Sequence, residues 1–276
     1  MSRSVVSLLL EDIAVSPSPD TYLSYVAPRG GPVVEPSPRW VRAQIDDLII
    51  ADSRRALLVR EPGKLPVYFF PEADVRRDLL APSDEPRQSP TLGTARVFHA
   101  VAGQTQRPNA AWSYLDPPME FAAVAGHIAL VWESMDHWYE EAEEIVRHPR
   151  DPHKRIDAIP SSRHVRVLHG DRVLADSTRP TLLFETGHPV RYYLPEQDVR
   201  LDMLEVTATR STCPYKGHAS YWRLRGEAAE RDIAWTYPDP IPECPKIKGL
   251  IAFFNERVNT IEVDGQAETR PSTSWS

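Results

Sequence analysis

Residues 191–204 read RYYLPEQDVRLDML, and residues 67–80, a constant 124 positions earlier, read VYFFPEADVRRDLL. Working outward without a gap, residues 41–80 and 165–204 share 18 identities in 40 positions. Ala51-Asp52-Ser53 meets Ala175-Asp176-Ser177, Arg55 meets Arg179, Glu61 meets Glu185, and Gly63 meets Gly187. Farther on the offset becomes 123, and Trp112, Tyr114, Asp116 and Pro117 meet Trp235, Tyr237, Asp239 and Pro240. The chain is therefore an internal duplication, and two copies imply paired domains rather than a solenoid.

The local patterns are those of short strands. Val165-Arg166-Val167 alternates, Gly170-Asp171 is a turn signal, and Val173-Leu174-Ala175 resumes. Leu182-Leu183-Phe184 and Arg191-Tyr192-Tyr193-Leu194 flank a second turn at Gly187-His188-Pro189. With 27 prolines in 276 residues, long helices are disfavoured, because proline removes a backbone donor and breaks helix interiors. The expected fold is mainly β: two tandem small antiparallel β domains. Between them, Met135, Trp138, Tyr139, Ala142, Ile145 and Val146 recur at three-to-four spacing against Glu140, Glu141, Glu143 and Glu144, which predicts an amphipathic helix followed by an irregular connector. The predicted organisation is a proline-rich arm at 1–38, a first repeat at 39–133, helix and connector at 134–160, a second repeat at 161–266, and a tail at 267–276.

Hydrophobic residues are 41% and charged residues 26%, the balance of a soluble globular protein. A net charge of −7 and a pI near 5.7 argue against a nucleic-acid partner. No apolar run is long enough to span a bilayer, and the N-terminal apolar run is too short for a signal peptide. No membrane partner and a cytoplasmic location are expected. The two cysteines, Cys213 and Cys244, form no paired motif and suggest neither a disulfide framework nor zinc. His148 and His153 lack a full ligand set, so no metal is expected.

The copies differ most at one turn. Copy two reads Cys213-Pro214-Tyr215-Lys216-Gly217-His218-Ala219, where copy one reads Ser89-Pro90-Thr91-Leu92-Gly93-Thr94-Ala95. The proline, glycine and alanine persist, while thiol, phenol, amine and imidazole are absent from copy one. Residues needed for folding should persist in both copies, whereas residues needed for chemistry can decay in one. Cys213 reads either as a thiolate nucleophile stabilised by Lys216 or His218, or as a small buried residue. Lys216 reads either as a solvated lysine or as an anion donor or desolvated amine nucleophile. Tyr215 and His218 complete the loop. Arg200 has the planar fork of an anion clamp, but Arg76 persists opposite it, which favours an ion pair with Asp198 or Asp202. Trp222, Trp235 and Tyr237 are candidate pocket walls, although Trp112 and Tyr114 repeat two of them and so favour core packing. Glu243, matched by Glu120, has no visible partner carboxylate.

Ala175-Asp176-Ser177, Tyr192-Tyr193-Leu194-Pro195, Asp198-Val199-Arg200, Thr212-Cys213-Pro214-Tyr215-Lys216-Gly217, Ala234-Trp235-Thr236-Tyr237 and Ile261-Glu262-Val263-Asp264-Gly265 together resemble domain-of-unknown-function family 427, sometimes labelled nucleotidyltransferase-like. The resemblance covers about 39–133 and 161–266 and departs at Ser89 to Thr94. It implies a β-tent-like fold, two small antiparallel sheets meeting at an angle over a pocket. The nucleotidyltransferase label finds no glycine-rich phosphate loop or paired metal-binding aspartates here, and no cofactor is expected. Two functions remain open. One is a small-molecule site in copy two, with acyl or carbonyl chemistry at Cys213 or Lys216. The other is a non-catalytic scaffold whose helix and arm dock a partner or a second subunit in a homo-oligomer.

Overall fold

The computed structural model describes residues 32–61, 63–226 and 231–276. Most of the expected N-terminal arm, residues 1–31, lies outside the described residues. In the first half the strands run β1 Val33–Pro36, β2 Val41–Ile45, β3 Leu48–Ser53, β4 Leu57–Arg60, β5 Val67–Pro71, β6 Leu80–Pro82, β7 Arg87–Ser89, β8 Gly93–Ala102, β9 Thr105–Tyr114, β10 His127–Leu130, β11 His137–Glu140 and β12 Glu143–Glu144. In the second they run β13 Ile156–Pro160, β14 Val165–His169, β15 Arg172–Ser177, β16 Thr181–Glu185, β17 Arg191–Leu194, β18 Leu204–Cys213, β19 Gly217–Leu224, β20 Ala234–Thr236, β21 Ile251–Phe253, β22 Thr260–Val263 and β23 Gln266–Ala267.

Each half contains one large and one small antiparallel sheet. In the second the large sheet has the order β13-β16-β17-β21-β20-β19-β18 and the small one β15-β14-β22-β23. The first half repeats this as β1-β4-β5-β10-β9-β8-β6, with β7 also on β8, and β12-β11-β2-β3. The fold is mainly β, as the alternation and proline content predict.

Residues 134–146 do not form the expected helix, and the longest helical element among the described residues is the six-residue 3-10 segment Met119–Val124. Here β11 pairs with β2, Trp138 opposite Ala43, and turns back into β12. Glu141 sits at the turn with φ 53°, a left-handed conformation that no helix interior accepts. The apolar spacing misled because it spans two short strands and a turn. Trp138 and Glu140 both point inward at period two. Trp138 stacks on Trp132 at 4.4 Å, and the Tyr68 hydroxyl donates to Glu140 at 2.7 Å. β11 is thus the counterpart of β22. Likewise β1 and β13 are equivalent edge strands: Val33 faces Arg60, and Asp157 faces Phe184, 124 positions on. Residues 33–36, read as part of the arm, belong to the first repeat's large sheet.

Strand alternation gives the large sheet of the second repeat two different faces. Leu182, Tyr192, Leu194, Leu224, Ala234 and Phe253 pack with Val165, Val167, Leu174 and Ile261 of the small sheet. Leu183, Tyr193, Trp235, Ala252 and Phe254 point the other way into a second, aromatic-rich cluster. The motifs shared by both copies brace the two sheets. Ser177 and Arg179 bond Asp198 at 2.8–3.1 Å, and Ser53 and Arg55 bond Asp74 at 2.7 Å.

Candidate functional site

The aromatic face of the second repeat borders a cavity of about 550 Å³. It lies on the face of the large sheet turned away from the small one. Its floor follows from alternation. Leu183 and Glu185 share one face of β16, Arg191 and Tyr193 one face of β17, and Tyr221 projects from β19 beside Trp235 of β20. The Trp235 indole donates to the Tyr193 hydroxyl at 3.0 Å. Tyr221 and Phe254 stack within 8° of parallel, and Phe254 lies 4.3 Å from the Trp235 ring centre.

The polar rim is the turn between β18 and β19. Lys216 N–H closes it onto Cys213 O at 3.2 Å with Pro214 at the second position, the place where proline's fixed φ suits a β-turn. Gly217 has φ 104°, and a Cβ there would stand 3.3 Å from Asp239 O and Ile241 N. Glycine is needed both for that backbone and for the close approach of the 239–241 loop, whose Ile241 N–H donates to Lys216 O at 3.1 Å.

The turn carries Lys216 inward to 8% exposure, where its ammonium pairs with Glu185, itself 8% exposed. Lys154 reaches the other Glu185 oxygen at 2.7 Å and lies 4.9 Å from the Tyr215 ring centre. Burial alone would raise the Glu185 carboxyl; the charges of Lys216, His188 and Lys154 outweigh it and hold the group at about 2. Burial opposes the charge on Lys216, but Glu185 opposite more than restores it and the amine is raised. Lys216 is therefore an ammonium donor at neutral pH, and the neutral-amine nucleophile expected of it lacks its premise. His188 is lowered, chiefly by burial. Its Nδ1 meets the Thr186 carbonyl at 3.1 Å; a carbonyl only accepts, so Nδ1 carries the proton and Nε2 keeps its lone pair. Burial pushes the Tyr215 phenol up to about 12, and Asp151 N–H donates to its oxygen at 2.6 Å.

Of the residues singled out from sequence, Cys213, Tyr215, Lys216, Trp235 and Tyr237 line the cavity. Arg200 does not: it is bound by two contacts of 2.9 and 2.7 Å to Asp202 at the surface. His218 and Trp222 are also excluded, because they sit on the opposite face of β19 from Ala219 and Tyr221. His218 is exposed and meets Thr212 Oγ1 at 3.0 Å, so it is no base for Cys213; Trp222 packs against the core between the sheets. Glu243 pairs with Arg150 at 2.7 Å. Sequence reasoning passed over Glu185, His188, Arg191 and Lys154. Glu185 was hidden because copy one keeps Glu61, and Lys154 because it lies in the connector. Arg191 is held by two bonds of 2.7 and 2.6 Å to Glu256, between the Trp235 and Trp275 rings at 5.5 and 5.4 Å. Trp275 comes from the tail.

The first repeat also reaches this cavity. Gly63, Lys64 and Leu65, from the turn between β4 and β5, line it together with Arg147 and His148 of the connector. The connector is fastened to both repeats: His153 to Glu35 at 3.1 Å, Arg150 to Glu243, and Lys154 to Glu185. Among the described residues no group of three or more His, Cys, Asp or Glu converges as a metal site, and no helix is long and apolar enough to cross a membrane.

No curated protein matches the chain. A family profile described as Domain of unknown function (DUF427) matches residues 33–141 and again residues 157–264, the same two spans that begin with the paired edge strands β1 and β13. The chain accordingly belongs to the DUF427 family and carries its domain twice.

Proposed function

We propose that the second repeat is a small-molecule-binding module whose ligand occupies the cavity over its large sheet. The observation that carries this reading is convergence. A Lys154–Glu185–Lys216 cluster, with Glu185 and Lys216 buried, and the walls formed by Tyr193, Tyr221, Trp235 and Phe254 face one space of about 550 Å³. That size falls within the range of roughly 300–1,000 Å³ usual for small-molecule sites, which combine apolar walls with a few placed polar groups. Lys216 serves as a donor and Cys213 as part of the wall. With Lys216 protonated and His218 on the other face, the site is read as binding without a covalent step. The scaffold alternative loses its docking helix, since residues 137–144 are paired strands.

The first repeat supplies the design of the test. At the position of Ser211 it carries Arg87, whose guanidinium stands 3.8 Å over the Trp112 ring and fills the space that Ser211 leaves open above Trp235. Ser211→Arg should plug the second cavity while sparing the core. In a thermal-shift screen against a metabolite panel, at least one compound should stabilise the wild-type protein, by about 2.7 kcal/mol at a hundredfold excess over its dissociation constant. The same compound should leave Ser211→Arg unmoved. Equal stabilisation of both proteins, or none of either, defeats the reading.

A further inference from the structure

Among the cations that line the cavity, most are already neutralised. Arg191 is satisfied by the bidentate Glu256, whose side chain is fully buried and also accepts from Thr273 at 2.7 Å. Lys64 is paired with Glu61 at 2.8 Å, and Arg147 is exposed at the mouth. His148 and His188 are both lowered, first by burial, and stay neutral at pH 7. The inner cluster differs: two ammonium groups, Lys154 and Lys216, share one carboxylate, Glu185. Each ammonium has three N–H donors and gives one to Glu185. One unit of positive charge is left over in a place where Lys216 is almost wholly shielded from water. Uncompensated charge is costly there, and its field is strong.

Resting on the small-molecule reading above, we infer that the ligand is a planar monoanion. Its carboxylate-like group sits against Lys154 and Lys216 beside Glu185, and its flat apolar body lies among Tyr221, Trp235 and Phe254. One negative charge brings the cluster to neutrality, whereas a dianion would overshoot and meet Glu185. The flat body follows from the walls. The parallel Tyr221 and Phe254 rings and the adjoining indole offer faces that stack on a ring and give little to a branched polar molecule. A neutral sugar would leave the surplus charge of Lys154 and Lys216 unanswered, and a cation would be repelled by it.

The probes are 2-naphthoate, its neutral isostere 2-naphthamide, and 2-naphthyl phosphate, titrated into the full chain with quenching of tryptophan emission as the readout. The expected order places 2-naphthoate at least about tenfold tighter than the other two, the value of a charge-assisted hydrogen bond. Lys154→Gln is the variant of choice, because its side chain is 19% exposed and the buried Lys216–Glu185 pair stays intact. It should weaken 2-naphthoate by about tenfold or more and leave 2-naphthamide within about twofold. Naphthamide binding as tightly as naphthoate, or naphthoate indifferent to Lys154→Gln, overturns the charge assignment and leaves the cavity reading standing. A preference for the phosphate overturns the monoanion. If none of the probes saturates, the planar-anion inference fails; if, in addition, no compound of the metabolite panel stabilises the protein, the cavity reading fails with it.

Discussion

Leu92 and Lys216 stand at the same place in the same turn of two copies of one fold, and their surroundings have diverged to suit each. Leu92 is 1% exposed and packs with Phe69, Trp112 and Tyr114. Lys216 points into a cavity against Glu185. The retained Glu61 has lost its buried lysine and takes Lys64, Ser89 and Thr91 at 2.8–3.2 Å instead. Phe69 meets Trp112 edge-on at 5.9 Å and 86°, as Tyr193 meets Trp235 at 6.1 Å and 87°, but phenylalanine has no oxygen to receive the indole N–H. Copy one keeps only a cavity of about 160 Å³ beside Arg87 and Trp112, and neither Glu61 nor Leu92 borders it. The scaffold tolerates exchange of a charged, hollow face for an apolar, filled one even though Glu61 and Trp112 are kept, because Glu61 takes new partners.

The sharpest way to break this comparison is to remove the same glutamate from each copy. Glu185→Ala leaves Lys216 buried with no counter-charge and should cost about 3–5 kcal/mol in denaturant unfolding. Glu61→Ala loses a half-exposed lysine and two hydroxyls and should cost under about 1 kcal/mol. Equal losses would mean that the Lys216 pair is no tighter than its surface analogue. A smaller effect is read in pH. Glu185 is lowered from 4.5 to about 2, so its contribution is complete above pH 4.5 and is lost as the pH falls from there through about 2. Lys216 is raised above 10.5, so its contribution is complete below that value and is lost as the pH rises through the higher folded value. The stability difference between wild type and Glu185→Gln should be flat between these limits and collapse on the acid side. A difference that fades instead between pH 6 and 8 would implicate a histidine. Smallest is Tyr193→Phe, which copies Phe69 into the second repeat. Loss of the Trp235 hydrogen bond should cost about 1 kcal/mol, seen as a lower unfolding midpoint, and an unchanged midpoint would show that the indole finds another acceptor.

The duplication, the strands and the turn that carries Lys216 were legible because each leaves a local mark. Period-two alternation marks strands, proline and glycine mark turns, and the loss of Cys213, Tyr215 and Lys216 from one copy marks the turn as special. The hairpin at 137–144 was not legible. Its apolar residues fall at helical spacing by the accident of a short turn, although Tyr139, Ala142 and Val146 are not buried, and the left-handed backbone at Glu141 has no glycine to announce it. Glu185 escaped for a different reason. Persistence in both copies argues for a structural role, yet Glu61 persists by changing partners, so shared identity hid a change of task. His218 was read as a site residue from its place in the loop, and the face of β19 puts it outside; Arg200 was read from its planar fork, but it lies between two 3-10 turns and is taken by Asp202.

Gly63 to Leu65 of the first repeat form part of the wall of the second repeat's cavity. On the proposed reading, substitutions at Gly63 to Leu65 should alter ligand binding in the half that carries Lys216. Half of this chain, cut away and expressed alone, would present an open shelf where the intact protein holds a chamber. The first copy thus serves as masonry for its twin.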